Sequence, residues 1–319
     1  MTHATTDRTT GPPSPGQGGD PAADVRRPRR PRRTTALVAG GLVVLLAALG
    51  TWWWTTQRWQ TEWRDDFDAS AGSLPSQDWI VDTGTQYPGG APNWGTGEIQ
   101  TYTDDPANVG HDGDGHLRIT PTVDASGAWR SGRIETRRTD FAAEPGGELR
   151  VTSRIKVPDG GQGYWAAFWM LGEGFRENVT DWPGAGEVDI LEVIGRKPTT
   201  VHGTLHCGTA PGGPCSETDG LAGARSVPDG THLSEGFHDY AVVWDRTGAT
   251  EELRWYLDGD LFHTVRSSDV PAAVWERATG RGFFVLLNVA IGGGWPGPPD
   301  GTTTPGRPML VDSVAVERR

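Results

Sequence analysis

The chain has 319 residues, 41 acidic against 29 basic side chains and a formal net charge of -12. The first 33 residues hold seven of the basic and three of the acidic groups, which leaves 22 basic against 38 acidic, or -16, in the remainder. So acidic a body excludes nucleic acid as a partner.

Residues 1–35 are rich in Pro, Gly, Thr and Arg and lack apolar periodicity, which predicts a disordered tail. From Ala36 to Trp54 the chain is uncharged and mostly apolar, long enough to cross a hydrocarbon core of about 30 Å as a helix. Arg26, Arg27, Arg29, Arg30, Arg32 and Arg33 precede it, and Trp52, Trp53, Trp54 and Trp59 follow like an interfacial aromatic belt. This predicts a single-pass anchor with a cytoplasmic N-terminus and an extracellular body, secreted if the run Ala48-Leu49-Gly50 is cleaved. A linker over 55–62 and one folded domain over 63–319, expected to be a monomer, complete the organisation.

Beyond the anchor, apolar runs alternate with turn signals and no convincing helix stands out. The runs are Leu117–Thr120, Leu149–Val157, Trp165–Leu171, Val188–Ile194, Tyr240–Trp244, Leu253–Leu257, Phe283–Val289 and Met309–Val316, which read as strands of an antiparallel all-β sandwich. Pro158-Asp159-Gly160-Gly161 and Asp258-Gly259 read as turns, the second as a hairpin.

The segment Gly186-Glu187-Val188-Asp189-Ile190-Leu191-Glu192 carries three acids along an apolar strand. At period two Glu187 and Asp189 share a face and Glu192 falls on the other, unless a β-bulge inserts one residue between Asp189 and Glu192. With the bulge, all three acids face one way. Two carboxyls about 5 to 5.5 Å apart suit a retaining glycosidase, with one as nucleophile and one as acid/base. A bare E-x-D-x-x-E equally fits a decorated strand edge or salt-bridged core carboxylates.

Cys207 and Cys215 flank the Gly/Pro-rich run CGTAPGGPC and are expected to pair outside the cell. Twelve of the 15 tryptophans lie beyond the anchor, a load that suits pyranose stacking. Trp165 and Trp169 share a strand face, Trp182 precedes the acidic strand, and Trp244 and Trp255 read as core. Trp295, in Gly292-Gly293-Gly294-Trp295-Pro296-Gly297, reads as an exposed sugar platform.

The run Trp182-Pro183-Gly184-Ala185-Gly186-Glu187-Val188-Asp189-Ile190-Leu191-Glu192-Val193-Ile194-Gly195 resembles the signature of glycoside hydrolase family 16, in the bulged form of laminarinase-like endo-β-1,3(4)-glucanases. The resemblance runs from about Trp63 to Val316 through Gly97-Glu98-Ile99-Gln100-Thr101-Tyr102, Ser131-Gly132-Arg133-Ile134, Ala167-Phe168-Trp169-Met170-Leu171 and Leu287-Asn288-Val289-Ala290-Ile291-Gly292-Gly293. It implies a β-jelly roll of two curved antiparallel sheets with an open cleft. It further implies Glu187 as nucleophile, Glu192 as general acid/base and Asp189 as the residue ordering charge between them. Asn93, Arg133, Trp169, Trp182, His206 and Trp295 are then the expected substrate-binding residues.

The implied substrate is a β-1,3 or mixed-linkage β-1,3/1,4 glucan, and the implied chemistry needs no cofactor. A structural calcium on the convex side would involve Asp66 and Asp312; no catalytic metal is expected. The runs Glu144–Leu149 and 172–181 and the residue Ala166 depart from the family pattern and bear on substrate preference. The competing readings are a hydrolase or transglycosylase acting on another β-linked polysaccharide, and a non-catalytic, membrane-anchored glycan-binding protein.

Overall fold

The computed structural model describes residues 58–319. The expected tail and membrane segment lie outside the described residues, among which no helix is long and apolar enough to cross a membrane.

The strands are, in chain order, β1 (Gln60–Asp65), β2 (Trp79–Val81), β3 (Thr101–Tyr102), β4 (Val109–His111), β5 (Leu117–Ile119), β6 (Thr122–Val123), β7 (Trp129–Ser131), β8 (Arg133–Thr136) and β9 (Glu148–Lys156). They continue with β10 (Tyr164–Gly172), β11 (Glu187–Ile194), β12 (Thr200–His206), β13 (Leu221–Ser226), β14 (His238–Asp245), β15 (Glu252–Leu257), β16 (Asp260–Arg266), β17 (Phe283–Ile291) and β18 (Met309–Arg318). All eight apolar runs in the sequence are strands. A back sheet follows the order β16-β15-β14-β9-β18-β5-β4, with β1 added on β18, and a front sheet the order β13-β12-β11-β10-β17-β8-β2. Every pairing within these two sheets is antiparallel.

Strict alternation builds the core. Tyr164, Ala166, Phe168 and Met170 of β10, and Phe283, Val285, Leu287, Val289 and Ile291 of β17, turn inward. They join Val151, Tyr240, Val242, Leu253, Leu257 and Val314 of the back sheet in one apolar cluster. Trp244 and Trp255 are buried in it, as expected. Burying an indole of roughly 200 Å² at about 25 cal/mol per Å² gives about 5 kcal/mol before conformational entropy is subtracted. The opposite positions, Trp165, Ala167 and Trp169, face outward beside the acids. The Asp258-Gly259 hairpin forms as read: Leu257 pairs with Asp260, and the two turn residues take φ of 52° and 81°.

Three expectations need correction. Ala272–Thr279 is an α-helix. Its buried residues Trp275, Ala278 and Thr279 fall at i, i+3 and i+4, but eight residues are too few for that period to stand out in sequence. The fold starts before residue 63, since Gln60 pairs with Arg318 in the C-terminal strand. Trp59 belongs to this unit rather than to an aromatic belt: the guanidinium groups of Arg150 and Arg319 lie 4.6 and 4.5 Å from its ring.

Candidate active site

β11 contains the bulge that its acids require. Against β10, Phe168 pairs with Leu191 and Trp169 with Asp189, so Ile190 is the extra residue. Against β12, Asp189 pairs with Thr204 and Glu192 with His202, three steps opposite two. Ile190 and Leu191 are consecutive, yet both enter the core between the sheets with Val188 and Val193. Glu187, Asp189 and Glu192 are thereby placed on the outer face of the front sheet. Two contacts fix this kink. Trp255 of the back sheet donates its indole N–H to the Asp189 carbonyl at 2.7 Å, reaching past Gly203, where a Cβ would lie 2.4 Å from the indole ring. Gly186, at φ 83°, lets the chain pass the end of the Ala272–Thr279 helix; a Cβ there would lie 2.1 Å from the Ala278 carbonyl oxygen.

Each acid has its own surroundings. Glu187 sits between Leu171 and His206 in the cross-strand row and accepts a hydrogen bond from Trp182. Leu171, Phe284 and Leu286 form an apolar patch at this end, packed by Trp169, Phe175 and Trp182. Glu192 accepts the Trp165 indole N–H at 2.9 Å. Trp295 crowns that end, edge-on to Trp165 at 5.4 Å and to His202 at 4.9 Å, its loop held by Arg196 on the Trp295 carbonyl. Asp189 lies between the two, with Oδ2 3.3 Å from His206 Nε2. That contact is an ion pair without hydrogen-bond alignment, so Oδ2 retains an open lone pair.

Burial and the charge of Asp189 push the Glu187 carboxyl up to about 8, against the pull of His206, Trp182 and Arg133. The same two causes push Glu192 well above the carboxylate range. His206 moves the other way on balance. Burial opposes its charge, but Asp189 and Glu217, with Glu187 beyond, outweigh burial and push it up to about 11. Glu187, Asp189 and His206 are also the one trio of ligand-type side chains among the described residues with atoms within 4.8 Å of one another. Both imidazole nitrogens face carboxylates, so the ring carries the positive charge itself and offers no lone pair to an ion.

The remaining expected residues divide. Trp169, Trp182, His206 and Trp295 gather around the acids. Arg133 is buried beneath them, bonded to Asp82 and the Tyr87 hydroxyl, with its guanidinium 4.4 Å from the Trp94 ring and 4.9 Å from that of Trp169. It supports aromatic rings rather than reaching solvent. Asn93 is exposed, and its carbonyl closes a turn by accepting from the Thr96 and Gly97 N–H groups. Of the calcium candidates, Asp66 accepts from Arg64 and Asp312 from its neighbour Ser313, both carboxylates act on the Arg64 charge, and β1 ends at Asp65, before Asp66.

Sequence reasoning missed two supports. Glu98 accepts from Thr96, Gln100 and Tyr102 and anchors a chain through Tyr102 and Asn288 to the Trp169 indole N–H. Its polar spacing Glu98-x-Gln100-x-Tyr102 was the available signal. Glu217 accepts from His206 Nδ1 and from the Cys207 N–H, both at 2.8 Å. The Cys207–Cys215 disulfide, which forms as expected, was the only hint that this loop returns to His206.

Residues 102–307 match the family model for glycosyl hydrolases family 16. The chain belongs to glycosyl hydrolase family 16. The family match contains β11, His206 and Trp295 and begins after Asn93. Within the family the chain is similar to a β-glucanase of Rhodothermus marinus, 30% identical over 82% of this chain and 85% of that protein. It is also similar to glucan endo-1,3-β-glucosidase A1 of Niallia circulans, 30% identical over 80% of this chain, and spans 37% of that protein's length. The crystal structure of an endo-1,3-β-glucanase from Streptomyces sioyaensis aligns with a TM-score of 0.79 and 49% identity, covering 82% of this chain and 97% of that one.

Proposed function

We propose that the domain is a retaining, endo-acting glycoside hydrolase that cleaves β-1,3 or mixed-linkage β-1,3/1,4 glucans by double displacement. The observation that carries this reading is the Ile190 bulge, which sets Glu187 and Glu192 on one face with Asp189 between them. Burial and the Asp189 charge push Glu192 well above the carboxylate range, which suits the carboxyl that must hold a proton for the leaving oxygen. The His206 cation and the Trp182 N–H favour the ionised form of Glu187.

In the first step a Glu187 oxygen attacks the anomeric carbon while Glu192 gives its proton to the departing glycosidic oxygen, forming a glycosyl ester on Glu187. In the second, the Glu192 carboxylate takes a proton from water, the water oxygen attacks the same carbon, and Glu187 leaves as carboxylate. Both carboxyls end as they began, and the bookkeeping of protons and electron pairs needs no cofactor. Asp189 lies between the two glutamates with Oδ2 3.3 Å from His206 Nε2. Trp165, Trp169, Trp182 and Trp295 offer indole surfaces for pyranose rings on either side of the acids.

The glucan assignment is supported by the names of the relatives, and the polar N-terminal arginines before Ala36–Trp54 support a membrane anchor that holds the domain outside the cell. Incubating the protein with laminarin, barley β-glucan, agarose and cellulose and sizing the products over time tests the reading. Internal cleavage of laminarin or barley β-glucan, with long oligosaccharides appearing first, is expected. Cleavage of agarose alone, or glycan binding without turnover, would overturn it.

A further inference from the structure

Glu217 stands out among the buried groups that the double displacement does not use. Its side chain is 0% exposed, and both of its oxygens are engaged by N–H groups: Oε2 by His206 Nδ1 and Oε1 by the Cys207 backbone. Among the described residues the His206 ring is its one ion-pair partner. A buried carboxylate so placed is costly unless a positive charge faces it, and a buried imidazolium is costly without its acids, so the two hold each other.

The loop is built to deliver this residue. Cys207 continues directly from His206, and its bond to Cys215, Cα atoms 5.6 Å apart, turns the chain back. Both cysteines are buried in the core between the sheets. Gly212 inside the loop and Glu217, two residues past Cys215, exchange two backbone hydrogen bonds, which fixes Glu217 against the disulfide. The result is a line of contacts from Glu217 through the imidazole to Asp189, with Glu187 3.9 Å from the same Nε2.

We infer that Glu217, brought in by the loop that the Cys207–Cys215 disulfide closes, is a positioning residue of the catalytic centre: its carboxylate holds the His206 ring as a cation whose Nε2 faces Asp189 and Glu187. The groups that bear on His206 are Glu187, Asp189 and Glu192 from β11, Glu217 just past Cys215, and the uncharged Trp182 ring at 5.5 Å. Without Glu217 the β11 acids alone would retain the proton, and His206 would lose it at lower pH. The countercharge that favours the ionised form of Glu187 would then vanish at lower pH.

The inference rests on the glycosidase reading for its kinetic consequence but not for its spectroscopic one. In the full-length protein labelled with 15N-histidine, long-range proton–nitrogen correlations at pH 8.5 are expected to show His206 with both nitrogens protonated. In Glu217→Gln, His206 should lose its proton at lower pH. The alkaline limb of kcat/KM on laminarin should move down by about one unit or more, and kcat should fall about ten- to a hundred-fold, the size of one hydrogen bond to a charged group. KM should stay within about two-fold, because the residue touches no sugar. A neutral His206 in the wild-type protein at pH 8.5, or a folded Glu217→Gln protein with unchanged His206 titration and pH profile, overturns the inference. If the variant does not fold, the wild-type spectrum alone decides, and it does so whether or not laminarin proves to be the substrate.

Discussion

Glu187 is asked for two things that oppose each other: ionisation for attack, and a place among carboxylates away from water. Its pKa of about 8 in the folded protein lies above the ordinary 4.5, so folding binds a proton that the unfolded chain releases. Stability therefore falls as pH rises from about 4.5 to 8, and the cost persists above that. His206 acts in the opposite sense. Its contribution is full below about 6.5 and is lost as pH rises through about 11. Glu187→Gln removes the burden of the charge while keeping shape and the Trp182 contact. Turnover should fall by a factor on the order of 10⁴ or more. The melting temperature at pH 8 should rise by about 2 to 4 °C for each kcal/mol relieved, and this gain should disappear at pH 4, where the wild-type carboxyl is also neutral. Thermal scans at the two pH values beside an activity assay check this. Near wild-type turnover in the variant would remove Glu187 from the role of nucleophile.

The bulged strand β11 works because the back sheet braces it. The Trp255 indole is fully buried, and its N–H satisfies the Asp189 carbonyl at the point where the extra residue interrupts the ladder. Replacing it with Phe leaves that carbonyl unpaired and a gap beside Gly203. Trp255→Phe is therefore expected to cost about 2 to 4 kcal/mol of stability by denaturant unfolding, from the unmade hydrogen bond and the cavity together. It should also lower kcat several-fold with KM little changed, since the acids shift while the indole surfaces on β10 do not. Loss of stability with no loss of kcat would mean that the bulge holds its geometry without this brace. The same dependence shows why the three acids could not be placed from periodicity alone. A regular strand sends Glu192 into the core, and only the demand for a shared face pointed to an inserted residue. Ile190 occupies that position because Ile190 and Leu191 are both apolar enough to enter the core in succession.

Across the molecule, the interior strands were legible because their alternation is long and strongly apolar, as in β9, β10, β17 and β18. Strands β12 and β13 were not, since Thr-Val-His-Gly-Thr-Leu-His and Leu-Ala-Gly-Ala-Arg-Ser spend polar or small residues on both faces near the sheet edge. The acids, His206 and the tryptophans could be named from sequence because their chemistry marks them. Glu217 could not, because a glutamate just past a Gly/Pro-rich loop looks like any surface acid until the disulfide returns it to His206. The motif marks Arg133, but its burial against Trp94 and Trp169 depends on β8 lying beside β17. What joins these parts is the claim that Glu187 and Glu192 act in turn on the same anomeric carbon. Following laminarin hydrolysis from its first minutes by proton NMR of the anomeric region tests that claim most directly. Two displacements predict that the new reducing ends appear as the β-anomer and only later mutarotate. Initial release of the α-anomer would contradict the account.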